Sequence, residues 1–168
     1  MTIFFVFIIV LISTFAVFKF YYPVCYKDYI DKYANHHGLE PAFVLAIVNT
    51  ESGFYKYAKS NKGAIGLMQL MPTTASAMAE EMGLIDFVVN DLYSPETNIM
   101  IGCHYLSYLF NKFDTKEEVL FAYNAGEGTL RSYLNENAKL NIDEIEITET
   151  RNFIRKVLRA NEYYLQYY

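Results

Sequence analysis

Glu51 is the side chain of this sequence best placed to do acid–base chemistry. It follows Val44, Ile47 and Val48 by seven, four and three positions, so on a helix it lies on the same apolar stripe. Burial on that stripe disfavours the charged carboxylate and raises its pKa. A carboxylic acid that is still protonated near neutral pH can serve as a general acid. The alternative, from this stretch alone, is a glutamate at a frayed helix end turned toward water.

Other reactive residue types do not form a recognisable site. The histidines His36, His37 and His104 have no metal-ligand spacing, which favours surface or core roles and no metal. Ser52 lacks the strand-to-helix elbow of a serine hydrolase, and Cys103 lies inside an apolar helical segment. The sequence therefore points to carboxylate chemistry before metal or nucleophile chemistry.

The composition fits one domain and excludes some partners. The chain has 168 residues, 16 of them Tyr and none Trp, and a formal net charge of −5. An acidic chain without a Lys/Arg run argues against nucleic acid, and also against docking to anionic lipid through a polybasic patch. The two cysteines, Cys25 and Cys103, match no metal motif, and we expect two unpaired thiols.

The first 22 residues form a hydrophobic segment. Residues 3–18 carry no charge, and Phe20, Tyr21 and Tyr22 extend the segment to spanning length before Pro23 stops it. We expect a transmembrane anchor over residues 1–22, with a cleaved signal peptide as the alternative. We expect a short linker over residues 23–28 and a globular domain over residues 29–168 to follow. Lys19 and Lys27 weakly favour a cytoplasmic globule, so orientation has to follow from function.

The remainder of the chain predicts helices almost throughout, with one short hairpin or loop between Gly53 and Leu67. Pro41, Pro72 and Ser94–Pro95 mark helix starts, and Thr115 with Glu118 fits a capping box. Thr148 is expected to cap the final helix. The predicted inward positions of that helix are Phe153, Ile154, Val157, Leu158 and Leu165. The predicted class is all-α.

Three polar clusters interrupt this apolar pattern in a specific order. They are Glu51–Phe54 (ESGF), Gly63–Pro72 (GAIGLMQLMP) and Ala122–Gly126 (AYNAG). Together they resemble the lytic transglycosylase family with its goose-lysozyme-like fold, over about residues 29–168. A weaker fourth match, Glu149–Asn152 (ETRN), opens the last helix. The family usually has Tyr two residues after that Arg, whereas this chain has Phe153, which puts one hydroxyl contact in doubt.

The resemblance implies cleavage of the β-1,4 bond between N-acetylmuramic acid and N-acetylglucosamine in peptidoglycan. Glu51 matches the family's catalytic acid, which protonates the glycosidic oxygen and then acts as base on the muramic acid C6 hydroxyl. The product is a 1,6-anhydro sugar, and no metal or organic cofactor is needed. The matched motifs supply one acid, whereas most glycosidases need a second carboxylate. Asp86, Asp91 and Asp114 are expected to be surface or capping residues.

The resemblance also implies which side chains bind the sugar. Gln69 and Asn124 supply amide hydrogen bonds, Tyr123 holds the Glu51 carboxyl, and Ser60 contacts the sugar near the cleavage point. Met68 and Met71 furnish an apolar wall. The expected partner is the peptidoglycan glycan strand, with the globule on the extracytoplasmic side of the membrane, or secreted. A hydrolytic muramidase on the same fold and a non-catalytic wall-binding module are the alternatives.

Overall fold

The computed structural model describes residues 21–137 and 139–168, and in these residues every regular element is helical. This confirms the all-α prediction. Two 3-10 turns, Val89–Tyr93 and Ile142–Glu144, lie between the helices. The α-helices are α1 (Lys27–His36), α2 (Pro41–Ser52), α3 (Pro72–Glu81), α4 (Pro95–Phe110), α5 (Lys116–Ala125), α6 (Glu127–Glu136) and α7 (Thr148–Tyr167).

Helix α2 lies at the centre of the fold. All seven residues from Ala42 to Val48 are buried, so the helix is apolar on every face and not along one stripe. A helix that is hydrophobic all round must be covered on all sides. Helices α1 and α7 supply much of that cover, and its most extensive packing is against α7. The helix approaches the surface at Pro41 and in its last turn, which carries Glu51.

The helix starts follow the predicted proline and capping positions. Pro41, Pro72 and Pro95 occupy the first turns of α2, α3 and α4, where a missing N–H leaves no bond unmade. The capping box before α5 is half formed. The Thr115 hydroxyl accepts a bond from the Glu118 N–H at 3.2 Å, but the Glu118 carboxylate accepts from the Asp114 N–H, also at 3.2 Å.

Two predictions for α7 were wrong. Thr148 is the first residue of the helix and not its cap, because Ile147 holds the cap position without a side-chain bond. Leu165 is 55% exposed, whereas its neighbour Tyr164 is buried and donates a hydrogen bond from its hydroxyl to the Pro23 carbonyl at 2.8 Å. The aromatic side chain fills the inward position because its ring is buried while its hydroxyl reaches a backbone acceptor.

The segment between α2 and α3 is a loop held by isolated bridges. Ile65 pairs with both Lys59 and Leu70, but neither pairing extends into a strand. This agrees with the predicted hairpin or loop. Cys25, which is exposed, and Cys103, which is buried, are free thiols, as expected.

In residues 21–137 and 139–168, no helix is both long and apolar enough to cross a membrane. The anchor predicted over residues 1–22 falls almost wholly outside the described residues. The two of its residues that are described, Tyr21 and Tyr22, lie beside the end of α2 and the last helix, where the Asn49 side chain donates to the Tyr21 carbonyl at 3.1 Å.

Candidate active site

Glu51 lies in the last turn of α2 and is partly buried. Burial is the largest influence on its carboxyl and, together with the charge of Glu149, raises the pKa of Glu51 to about 8. The helix ends directly after it, because Gly53 and Phe54 both adopt the left-handed conformation, with φ of 56° and 64°. The sequence-based prediction of a protonated acid at neutral pH agrees with this environment.

Ser52 joins the end of α2 to the loop that follows. Its hydroxyl lies 3.1 Å from the Val48 carbonyl and 2.8 Å from the Leu67 carbonyl, so its single proton is shared between helix and loop. The serine directly after Glu51 thus has a structural role, bonding the helix end to the loop, and need not be a nucleophile. Ser52 fixes the distance between Glu51 and the segment that carries Gln69.

The loop from Ser60 to Met71 is folded tightly against the body of the protein. Ile65 and Leu70 exchange two backbone hydrogen bonds of 3.0 Å, and the Gly66 N–H donates to the Ala58 carbonyl at 2.9 Å. Gly66 has φ of 80°, and a Cβ there would lie 2.3 Å from the Leu92 carbonyl oxygen. Only glycine fits this position, since both its conformation and the approaching backbone exclude a side chain.

Asn98 holds this loop in place, a role that was not predicted from the sequence. Its fully buried side chain accepts a bond from the Met68 N–H at 2.8 Å. Its amide group donates to the Ile65 carbonyl at 3.0 Å and to the Leu92 carbonyl at 2.9 Å. The available signal was an Asn on the apolar stripe that continues through Ile101 and Gly102 of α4, because a buried amide must find partners.

The Gln69 side chain is half-exposed, and its amide nitrogen is already hydrogen-bonded within the protein. Its amide nitrogen donates to the Gly66 carbonyl at 2.9 Å and to the Ala58 carbonyl at 3.2 Å, which uses both hydrogens. Its backbone has φ of 46°, an uncommon conformation for a residue other than glycine. Because both hydrogens of the amide nitrogen are already used, the amide oxygen is the group that can accept a hydrogen bond from a ligand.

Tyr123 makes a different contact from the one that the family resemblance implied. Its hydroxyl donates to the Met68 carbonyl at 2.6 Å, so its proton is not given to Glu51. Burial, with the charge of Glu51 as the next contribution, raises the pKa of Tyr123 well above its usual value, which keeps the phenol neutral. The oxygen lone pairs of Tyr123 can still accept a bond from a protonated Glu51.

Phe153 lies against Tyr123 where the family usually has tyrosine. The two rings are parallel within 6°, with centroids 6.3 Å apart, and Phe153 is only 7% exposed. Its apolar ring contributes to the wall beside the Tyr123 phenol. Phe153 therefore lacks the hydroxyl that a tyrosine would carry, but it keeps the aromatic stacking with Tyr123.

The remaining predicted site residues differ in how accessible they are. The Asn124 amide oxygen accepts a bond from the buried Thr150 hydroxyl at 2.8 Å, which leaves its NH₂ group for a ligand. Ser60 uses its hydroxyl to accept from the Ala64 N–H at 3.0 Å and so shapes the loop.

Met68 is fully buried, and a Cβ at Gly102 would meet its sulfur, so Met68 is not part of an exposed wall. Met71 is 41% exposed.

Glu149 is a second carboxylate whose charge acts on Glu51. It forms an exposed ion pair of 2.8 Å with Lys62, which connects the loop to the start of α7. The three main motifs contain only one acid, so the effect of Glu149 was not predicted. Glu149 belongs to the fourth and weakest match. The other acids behave as predicted: Asp91 caps its own turn by accepting from the Val88 N–H at 2.9 Å, and Asp86 and Asp114 are exposed.

Replacing Glu149 by Gln is expected to lower the pKa of Glu51. The substitution removes a negative charge that favours the protonated acid, and it frees the Lys62 ammonium, which favours the carboxylate. The alkaline limb of the pH–activity profile should therefore move to lower pH, with activity at pH 8 falling relative to activity at pH 6. Glu146→Gln, an exposed substitution of equal charge, is the control and should leave the profile in place. An unchanged profile in E149Q would contradict the assigned coupling.

The three histidines come together on the side of α1 and α4. The ring centroids of His37 lie 4.8 Å from His36 and 5.3 Å from His104, and His104 Nε2 is 3.6 Å from the Glu81 carboxylate. Burial lowers the pKa of His37, as do its two histidine neighbours. Among residues 21–137 and 139–168, no group of three His, Cys, Asp or Glu side chains is arranged to hold a metal ion.

The chain belongs to the lytic transglycosylase family, since the sequence profile of the Transglycosylase SLT domain matches residues 28–146. It is 33% identical over 150 residues to the soluble lytic murein transglycosylase of Salmonella typhimurium, covering 85% of this chain and 23% of that protein. It is 30% identical over 168 residues to the membrane-bound lytic murein transglycosylase C of Actinobacillus pleuropneumoniae, covering 83% of this chain and 46% of that protein. The chain thus spans less than half the length of these relatives.

Solved structures show the same fold. The 70-kDa soluble lytic transglycosylase of Escherichia coli aligns with a TM-score of 0.82 and 32% identity, over 87% of this chain and 25% of that one. The same protein has also been solved in complex with bulgecin A. An inactive glutamate-to-glutamine mutant of the lytic transglycosylase Slt of Pseudomonas aeruginosa aligns with a TM-score of 0.81 and 33% identity, over 86% and 24%.

Proposed function

We propose that this protein is a peptidoglycan lytic transglycosylase that cleaves the β-1,4 bond between N-acetylmuramic acid and N-acetylglucosamine. The observation that carries the proposal is the environment of Glu51, whose pKa is raised to about 8 at the end of a buried helix in a protein of this family. Relatives that match most of this chain are named as lytic murein transglycosylases.

One carboxyl can serve both halves of the reaction. Glu51 donates its proton to the glycosidic oxygen as the bond to the anomeric carbon breaks. The resulting carboxylate then takes the proton of the C6 hydroxyl of the same muramic acid, whose oxygen bonds to the anomeric carbon. A pKa near 8 suits this exchange, because the acid is protonated at neutral pH and its conjugate base is strong enough to recover the proton.

The side chains that we expect to bind substrate match the groups of an amino sugar. The Gln69 amide oxygen can accept from a hydroxyl or acetamido N–H, and the Asn124 NH₂ group can donate to a carbonyl or ring hydroxyl. Tyr55 and Tyr57, which are 60% and 55% exposed, offer ring faces beside the loop on which sugars can stack. Met71 adds an exposed apolar side chain, whereas Met68 and Ser60 support the loop from within.

A hydrolytic muramidase is the second candidate, and Glu149 is the observation that favours it. Hydrolysis with inversion needs a second carboxylate to activate water. Glu149 influences Glu51 and so lies in its vicinity, but it is exposed and paired with Lys62. Intramolecular attack by the C6 hydroxyl needs no such group, which is why transglycosylation is preferred.

The products of digestion distinguish the two reactions. Purified peptidoglycan digested by the full chain should yield fragments that end in 1,6-anhydro-N-acetylmuramic acid, 18 Da lighter than the corresponding hydrolysis products because no water is added. Mass spectrometry of the soluble fragments measures this difference directly. Fragments with reducing N-acetylmuramic acid ends, at the hydrolysis mass, would establish the muramidase instead.

We further propose that residues 1–22 anchor the protein in the cytoplasmic membrane, with residues 29–168 on the extracytoplasmic side where peptidoglycan lies. The apolar run over residues 3–18 supports anchoring, and some relatives are named as membrane-bound while others are named as soluble. Lys19 and Lys27 follow the apolar run and weakly favour the opposite orientation. The location of the substrate outweighs a bias of two charges.

A further inference from the structure

A cavity of about 500 Å³ lies where the chain enters the folded domain. It is formed by the last turn of α2, the first half of α7 and the segment that precedes α1. Three cationic side chains of α7, Arg155, Lys156 and Arg159, line it together with Tyr21 and Tyr22. The net charge of −5 gave no reason to expect a basic surface, but the helical spacing of these residues brings their charges to one side.

Two of these three cations are available to a ligand. Arg155 forms an ion pair with Asp143. Lys156 and Arg159 form no ion pair or hydrogen bond through their side chains with any residue in the part of the chain that the structure describes. Glu162, one turn beyond Arg159, does not line the cavity. A cavity with two unpaired cations and aromatic walls fits a phosphate carried on a larger molecule.

The position of this cavity relative to the apolar segment identifies the ligand. Tyr22 stacks on Tyr163 with ring centroids 4.2 Å apart, and the Tyr164 hydroxyl bonds to the Pro23 carbonyl, so this entry segment is fixed to α7. Only three residue steps separate Phe18, the last residue of the apolar run, from Tyr21. A chain of that length reaches at most about 11 Å. The headgroup layer on each side of a bilayer is about 5–8 Å thick.

We propose that this cavity binds the phosphate headgroup of an anionic phospholipid in the membrane that holds residues 3–18. The proposal rests on the anchor proposed above. Lys156 and Arg159 contact the phosphate, while Tyr21 and Tyr22 lie at the membrane–water interface, where tyrosine is favoured. Asn49 and Thr50, which line the same cavity, directly precede Glu51. Headgroup binding therefore fixes the end of α2, and with it the catalytic acid, close to the membrane surface.

The test uses the full chain in nanodiscs of neutral phosphatidylcholine, with or without about one third phosphatidylglycerol. Amide hydrogen exchange over residues 149–160 should slow by about fivefold in the anionic discs, because a bound headgroup opposes local opening of the helix. The double variant K156E/R159E, and the milder K156Q/R159Q, should lose this difference. The control R131E/K139E changes the same charge at positions outside the cavity and should retain it.

Each failure has a distinct meaning. Equal exchange in neutral and anionic discs for the wild type would overturn headgroup binding, as would a difference that both cavity variants retain. Protection by inorganic phosphate in neutral discs, equal to that from phosphatidylglycerol, would assign the cavity to free phosphate and overturn the lipid. A chain that alkaline carbonate releases from membranes would refute the anchor, and the headgroup proposal with it. Lysis of solubilised peptidoglycan fragments by the cavity variants should match the wild type and so separates this proposal from the catalytic one.

Discussion

Replacing Glu51 by Gln is expected to abolish peptidoglycan lysis, with a loss of about a thousandfold or more. The amide keeps the shape of the side chain but can neither protonate the glycosidic oxygen nor recover a proton from the C6 hydroxyl. Loss of a positioned general acid alone typically costs a factor of about 10² to 10⁴. Release of soluble fragments from purified sacculi measures the effect, and Glu80→Gln, an exposed substitution in α3, is the matched control. Equal lysis by the wild type and E51Q would favour the non-catalytic wall-binding module.

The same substitution should stabilise the fold at alkaline pH, which separates lost chemistry from lost structure. The pKa of Glu51 rises from 4.5 to about 8 on folding, so between these values the native state binds a proton that the unfolded state does not. The free energy of unfolding of the wild type therefore falls as pH rises through this window. Since E51Q does not titrate, its free energy of unfolding should exceed that of the wild type at pH 8–9 by roughly 4–5 kcal/mol. Thermal melting should show equal stabilities near pH 4, and a wild type at least as stable as E51Q at pH 9 would contradict the raised pKa.

Replacing Asn98 by Ala is expected to destabilise the protein by about 3–5 kcal/mol. One side chain partners the Met68 N–H and the carbonyls of Ile65 and Leu92, and each buried backbone group left without a partner costs about 1–3 kcal/mol. Denaturant unfolding measures the loss. Lysis should also fall in conditions where the variant is folded, because the loop that presents Gln69 loses its attachment to α4.

Asn161 provides a matched control for Asn98. It is also a buried helical asparagine, 5% exposed, but its side-chain oxygen has no hydrogen-bond partner among the residues that the structure describes. Asn161→Ala makes the same change in volume and removes no accepted bond, so its cost should be clearly smaller than that of N98A. Similar losses in the two variants would mean that volume, and not hydrogen bonding, determines the role of Asn98.

The order of the helices and the position of the acid could be predicted because they depend on local patterns. Prolines at helix starts and the apolar spacing before Glu51 act within a few residues of each other. The partners of the polar side chains depend on tertiary packing and could not be predicted in this way. Tyr123 donates to the Met68 backbone, and Met68 lies beneath the surface because Gly102 of α4 leaves room for it.

The roles of Asn98 and Glu149 were missed for a related reason. Asn98 is 30 residues from Met68 in sequence, and Glu149 is 87 residues from Lys62, so no short pattern connects them. The basic cavity depends in the same way on the spacing within α7 and on its packing beside α2, neither of which the total charge reveals. Motif spacing predicts the chemistry, whereas the partners of the side chains depend on the assembled fold.

The packing of α7 on α2 also bears on the order of events during protein synthesis. The acid of α2 is made early, whereas Glu149 of α7, whose charge helps to raise its pKa, is translated about a hundred residues later. Until residues 148–167 leave the ribosome, α2 lacks its main cover, and Glu51 has the acidity of a solvated carboxyl. A nascent chain therefore carries the motif without the raised pKa, and the protonated acid at neutral pH arises only when the last helix docks.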